Sequence, residues 1–216
     1  MVTLPGYGVP ARAGDDLMPG ALAERLLTAL QGTHEPAVLV GHSASCQVVV
    51  HAARALPGRV GGLVLIGPTT DRRAASWPRL AARWLATARH EDPRQVPSLV
   101  RQYHRTGLGS MRQAMGAARR DRIDVVLART GCALLVLRGP HDRICPADWA
   151  DELVRTRSSE NDSAVVTLPG GGHMVPLTCG PLVAAELQAF LSRAVGSSAP
   201  ATRPAPPDGG GDRAGR

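Results

Sequence analysis

The chain has 216 residues, 44% hydrophobic and only 3% aromatic, which is long enough for one domain whose core must be built from Leu, Val and Ala. Its net charge of +7 comes from arginine alone, scattered as in Arg72-Arg73 and Arg119-Arg120 with no aromatic interleaving, which speaks against nucleic acid as a partner. No run approaches the ~18 apolar residues of a membrane span, and no charged start leads into an apolar segment, so neither a membrane nor a secretory route is read and the cytoplasm is the default compartment.

In chain order, Val2-Thr3-Leu4 leads into a glycine turn, Pro5-Gly6-Tyr7-Gly8. Leu22, Leu26 and Leu30 then recur at four-residue spacing after Pro19, the buried stripe of a helix reaching about Leu30. The apolar run at 37–40 is short enough for a buried strand and ends in Gly41-His42-Ser43-Ala44-Ser45. A helix is expected over 44–56, stopped by Pro57-Gly58, and the next strand over 62–66. Residues 67–131 hold no strand pattern and several helical ones, including 80–85 and 96–103. Two further apolar runs follow, at 133–137 and 164–168, with amphipathic helices expected over 146–155 and 180–194. The stretch 196–216 is rich in Ser, Pro, Gly and Asp and reads as a disordered tail. Alternating strands and helices argue for an open, mostly parallel sheet covered on both faces.

Three strands each deliver one polar group just past their carboxyl ends: Ser43 after 37–40, Asp142 after 133–137, and His173 after 164–168. In an open parallel sheet those ends share one crevice, so the three side chains converge although they are distant in sequence. The serine is flanked two residues away on each side by Gly41 and Ser45, small enough for a sharp strand-to-helix turn that holds the serine in a strained conformation.

These residues resemble the α/β-hydrolases. Val2-Thr3-Leu4 looks like the end of a sheet strand before the glycine turn, Gly41 to Ser45 the nucleophile elbow, Leu63-Val64-Leu65-Ile66-Gly67-Pro68 the next strand, Gly139 with Asp142 the acid loop, and Gly172-His173 the histidine loop, all in the family's order over residues 1 to about 195. The resemblance implies a hydrolase core over 1–67 and 132–195 and a helical cap over 68–131. Trp77, Trp84, Tyr103, Met111 and Met115 of that cap, together with His42 and Met174, are candidates to line a substrate pocket. It also implies that the Ala44 N–H is an oxyanion donor. Family members carry earlier strands and a His-Gly loop supplying a second donor; here the glycine turn is reached by Gly6 without them. Either the chain is an amino-terminally shortened hydrolase or its start lies upstream of Met1. In the shortened form the strand at 37–40 would be an open apolar edge through which the chain could self-associate.

The chemistry follows from the side chains. A neutral His173 would take the proton of Ser43 as it attacks, and Asp142 would fix the imidazole tautomer. Asp71, five residues past Ile66, is the alternative acid. Asp148 is expected to cap or face its helix, His42 to pack locally, and His141 to face solvent, while His34, His51, His90 and His104 lie in no motif. Cys46, Cys132, Cys145 and Cys179 show neither CxxC pairing nor a zinc spacing, and a serine triad needs no metal or organic cofactor, so none is expected. The expectation is a serine hydrolase acting on a small-molecule ester or similar acyl bond through an acyl-enzyme. The alternatives are an impaired remnant used in binding or oligomerisation, or the same triad in acyl transfer, thioester or carbon–carbon hydrolysis, or cofactor-free haloperoxidation.

Overall fold

In the computed structural model, residues 1–32, 35–157 and 162–196 are described; the expected tail beyond Gly196 and His34 lie outside them. The chain begins with two short strands, β1 (Leu4–Pro5) and β2 (Gly8–Val9), which among the described residues pair only with each other around Gly6. The expected strand at 2–4 is therefore not part of the main sheet. Helix α1 (Pro19–Ala29) follows, with Pro at its first turn, where a missing N–H costs nothing.

The main sheet is built from β3 (Ala37–His42), β4 (Val60–Ile66), β5 (Ala133–Arg138) and β6 (Ser163–Thr167), all parallel and ordered β3-β4-β5-β6. Helix α2 (Ser45–Ala55) joins β3 to β4, α7 (Ala147–Arg155) joins β5 to β6, and α8 (Val175–Thr178) and α9 (Gly180–Gly196) close the chain. Among the described residues no helix is long and apolar enough to cross a membrane.

Alternation along the inner strands divides the core in two. Leu63 and Leu65 of β4 and Leu134 and Val136 of β5 face α1, α2 and α7, burying Leu22, Val48 and Trp149. Val64, Ile66, Leu135 and Leu137 face the opposite way, onto Val183 and Phe190 of α9. Each fully buried Leu or Val contributes about 1.5–3 kcal/mol, so these two strands fix the sheet. A Cβ on Gly62 would lie 3.0 Å from the Phe190 ring, so its absence lets α9 sit close.

Between β4 and β5 lie α3 (Trp77–Ala88), α4 (Val96–Thr106), α5 (Leu108–Ala118) and α6 (Ile123–Leu127), with no strand among them. Ile123 and Leu127, four apart on α6, are buried in the main core beside α2. Strand β3 is an edge: among the described residues β4 is its one partner, and Val40 is 49% exposed.

Candidate active site

The carboxyl ends of all four sheet strands meet at one rim. Ser43 follows β3 directly and has φ 56°, the one positive φ at a residue other than glycine among those described. The turn is held from several sides: the Ser43 N–H donates to the Ile66 carbonyl at 2.9 Å and the Cys46 N–H to the Ser43 carbonyl at 3.1 Å. A Cβ on Gly41 would lie 2.8 Å from Cys46 Cα, so the small residue two before the serine is a steric requirement. Ser45 does more than stay small. Its Oγ donates to the His42 carbonyl at 2.8 Å and accepts the His42 N–H at 2.9 Å, which ties the turn together.

Ser43 Oγ lies 2.8 Å from His173 Nε2, and His173 Nδ1 lies 2.9 Å from Asp142 Oδ2. Asp142 is 0% and His173 4% exposed. The other Asp142 oxygen, Oδ1, accepts the N–H groups of Ile144 and Cys145, each at 2.9 Å. Burial alone would push this carboxyl up, but the His173 imidazole and the backbone donors outweigh it and hold it below the usual carboxylate range. An ionised carboxylate only accepts, so Nδ1 carries the imidazole hydrogen and Nε2 is left to accept the Ser43 hydroxyl.

The acid loop is anchored by a residue that the sequence pattern did not single out. Arg138, buried at the end of β5, donates from Nε to the Cys145 carbonyl at 2.8 Å and from a terminal nitrogen to the Asp142 carbonyl at 3.1 Å. An arginine closing an otherwise apolar strand was the available signal. Gly67 and Gly139 leave the space the loops need: a Cβ on Gly139 would fall on the Gly171 and Gly172 carbonyl oxygens, and one on Gly67 would lie 2.9 Å from His173 Nδ1.

Asp71, the alternative acid, is turned elsewhere. Its carboxylate takes Arg73 Nε at 2.9 Å and Arg83 at 2.7 Å. Burial raises its pKa, and these arginines more than reverse the effect. Asp148 accepts the N–H of Trp149 in the first turn of α7 and pairs with Arg73.

His42 departs from the expected local role. Its Nε2 donates across 131 residues to the His173 carbonyl at 3.0 Å, and the two rings lie 5.0 Å apart. Burial, then the neighbouring His173, pushes it down to about 4. It stays neutral at pH 7 and adds no charge against an imidazolium. Because the unfolded side chain titrates near 6.5, the unfolded chain binds the extra proton between about pH 6.5 and 4; stability is full above that window and falls as pH drops through it, by at most about 3 kcal/mol. Urea unfolding at pH 7 and pH 4.5 is expected to show a smaller loss for His42→Gln than for the wild type; equal losses would put the proton uptake elsewhere.

Of the pocket candidates, His42 and Met174 adjoin His173. Trp77 is 40% exposed, has the Arg119 guanidinium 5.1 Å from its ring centroid, and lines a cavity of about 530 Å³ with Asp15, Met18, Arg112 and Arg120. That cavity contains none of Ser43, Asp142 and His173. Trp84 is 43% exposed although it shares a face of α3 with the buried Leu80 and Thr87, four residues before it and three after. Tyr103, Met111, Met115 and Met174 are half-buried. Among the described residues the Ala44 N–H, at the start of α2, has no acceptor. The thiols of Cys46, Cys132, Cys145 and Cys179 are all free. His51 pairs with Asp121 at 2.9 Å, and His141, exposed as expected, stacks on His90.

A serine on a strained strand-to-helix turn, reached by a histidine and an aspartate from later strands of one parallel sheet, defines the class of protein. Residues 1–186 match the profile of the Alpha/beta hydrolase family, and the chain belongs to that family. The fold is shared with a thermophilic esterase at 21% identity, covering 88% of this chain and 79% of that one, with a TM-score of 0.69. It is shared also with a hydrolase from Oleispira antarctica (14% identity, 82% and 72% coverage, TM-score 0.69) and a bromoperoxidase from Bacillus anthracis (13%, 84% and 77%, 0.62). No curated protein matches the chain in sequence.

Proposed function

We propose that the protein is a serine hydrolase that cleaves an ester or similar acyl bond through an acyl-enzyme, with Ser43 as nucleophile, His173 as general base and Asp142 as the acid that orients it. The observation that carries this reading is the unbroken chain of hydrogen bonds from Ser43 Oγ through both imidazole nitrogens to Asp142, at 2.8 and 2.9 Å. As Ser43 Oγ attacks the substrate carbonyl carbon, its proton moves to His173 Nε2. The imidazolium is stabilised by Asp142 and returns the proton to the leaving alcohol as the tetrahedral intermediate collapses. Water, activated by the same nitrogen, then hydrolyses the acyl-serine. The Ala44 N–H, at the amino end of α2, supports the oxyanion.

A fluorophosphonate probe is expected to label wild-type Ser43 and not Ser43→Ala, and hydrolysis of p-nitrophenyl acetate is expected to fall on the order of 10⁴-fold or more in that variant. A wild type that neither labels nor turns over would sink the proposal.

A further inference from the structure

The segment between β4 and β5 reaches the rim of the sheet at one corner, just past α3. There the Glu91 carboxylate, in the turn after α3, lies against the histidine loop: Oε1 accepts the N–H of His173 at 2.5 Å and that of Met174 at 3.0 Å. Oε2 is held from behind by Gln95 Nε2 at 3.0 Å, and Gln95 is itself buried. The loop is shaped to receive this carboxylate, since a Cβ on Gly172 would lie 2.6 Å from Oε1.

The same corner touches the other strand ends. Thr87 Oγ1 accepts the Arg143 N–H of the acid loop at 3.0 Å, and His90 stacks on His141, with ring centroids 4.2 Å apart. Arg83, one turn earlier on α3, holds Asp71 beyond β4. One helix and its corner thus grip the loops that follow β4, β5 and β6.

We propose that Glu91 is a positioning residue for His173: it fixes the backbone from which the imidazole reaches Ser43, and so sets the distance between base and nucleophile. The inference rests on the reading of Ser43, His173 and Asp142 as a triad. Physically, residues 168–174 have neither helix nor strand pairing of their own, and Gly171 stands at φ 93°. Two adjacent N–H groups converging on one carboxylate oxygen form charge-assisted bonds, about twice as strong as neutral ones. Without that acceptor both donors lose their partner beside a buried side chain, and the loop relaxes toward one. A displacement of about 1 Å at a reacting group costs about 10²-fold in rate.

Glu91→Ala and Glu91→Gln, made in the full chain, test this. Glu91→Ala is expected to lower kcat for p-nitrophenyl acetate about 10²-fold with KM little changed, and to shift the pH profile of fluorophosphonate labelling. Glu91→Gln keeps an acceptor of the same reach and is expected to recover most of the loss. Wild-type kcat and an unmoved pH profile in Glu91→Ala would overturn the proposal. Should Glu91→Ala fail to fold, Gly172→Ala takes its place, because its methyl displaces the carboxylate; unchanged kcat in that variant would overturn the proposal equally. If the wild type itself does not label at Ser43, the triad reading fails separately. The proton NMR signal of His173 Nδ1–H then decides the positioning role: a signal that shifts or vanishes in Glu91→Ala supports it, and an unchanged one removes it.

Discussion

An Asp142→Asn variant is expected to fold and yet lose on the order of 10⁴ in kcat. The reason is the way the carboxylate is held. The Ile144 and Cys145 N–H groups demand an acceptor at Oδ1, so an asparagine must place its oxygen there and its NH₂ where Oδ2 now meets His173. Donor would face donor unless the imidazole moved its hydrogen to Nε2, and Nε2 could then no longer accept the Ser43 hydroxyl. Asp71→Asn is the matched contrast: it weakens the pairs with Arg73 and Arg83, costs about 1–3 kcal/mol of stability, and leaves kcat within a few-fold. Steady-state ester hydrolysis alongside circular dichroism checks both. The opposite pattern would move the acid to Asp71.

Gly67→Ala is expected to lower kcat by about 10²–10³ while the protein remains folded. Gly67 sits at φ 53°, where a side chain costs about 1–2 kcal/mol. It cannot move away, because its N–H is bonded to the Leu137 carbonyl at 2.8 Å. The new methyl would enter between His173 Nδ1 at 2.9 Å and Asp142 Oδ2 at 3.0 Å, wedging apart the two groups whose contact orients the base. Gly58→Ala, where a Cβ meets nothing within 4 Å, is the control. Fluorophosphonate labelling rates should fall for Gly67→Ala and not for Gly58→Ala; equal rates would show that the pair tolerates the wedge.

What could be seen in the sequence was local punctuation. Apolar runs that stop at glycine-rich turns mark β3, β5 and β6, and Ser43, Asp142 and His173 stand at those stops, so a parallel sheet brings them together with no knowledge of distance. The strand at 2–4 went astray because two residues of β pattern beside a glycine turn satisfy one another instead of joining the sheet. Trp77 and Trp84 were weighed as pocket residues on chemical type, and both stand 40% or more exposed. Glu91 acts on backbone N–H groups 82 and 83 residues away, and a backbone donor leaves no mark in the residue code. Ser45 shows the same limit: its size was visible, its two bonds to His42 were not.

Among the described residues the strands leading to the serine and to the histidine, β3 and β6, are the two edges of the sheet. With β4 as its one neighbour, the peptide leading into Ser43 behaves as a beam clamped on a single side. Its stiffness must come from what grips its tip: the Ile66 carbonyl, the Ser45 hydroxyl and the first turn of α2. Local fraying of β3 would therefore reach the nucleophile before it disturbed the acid, whose strand β5 is flanked on both sides, and loss of reactivity on warming would precede loss of the sheet.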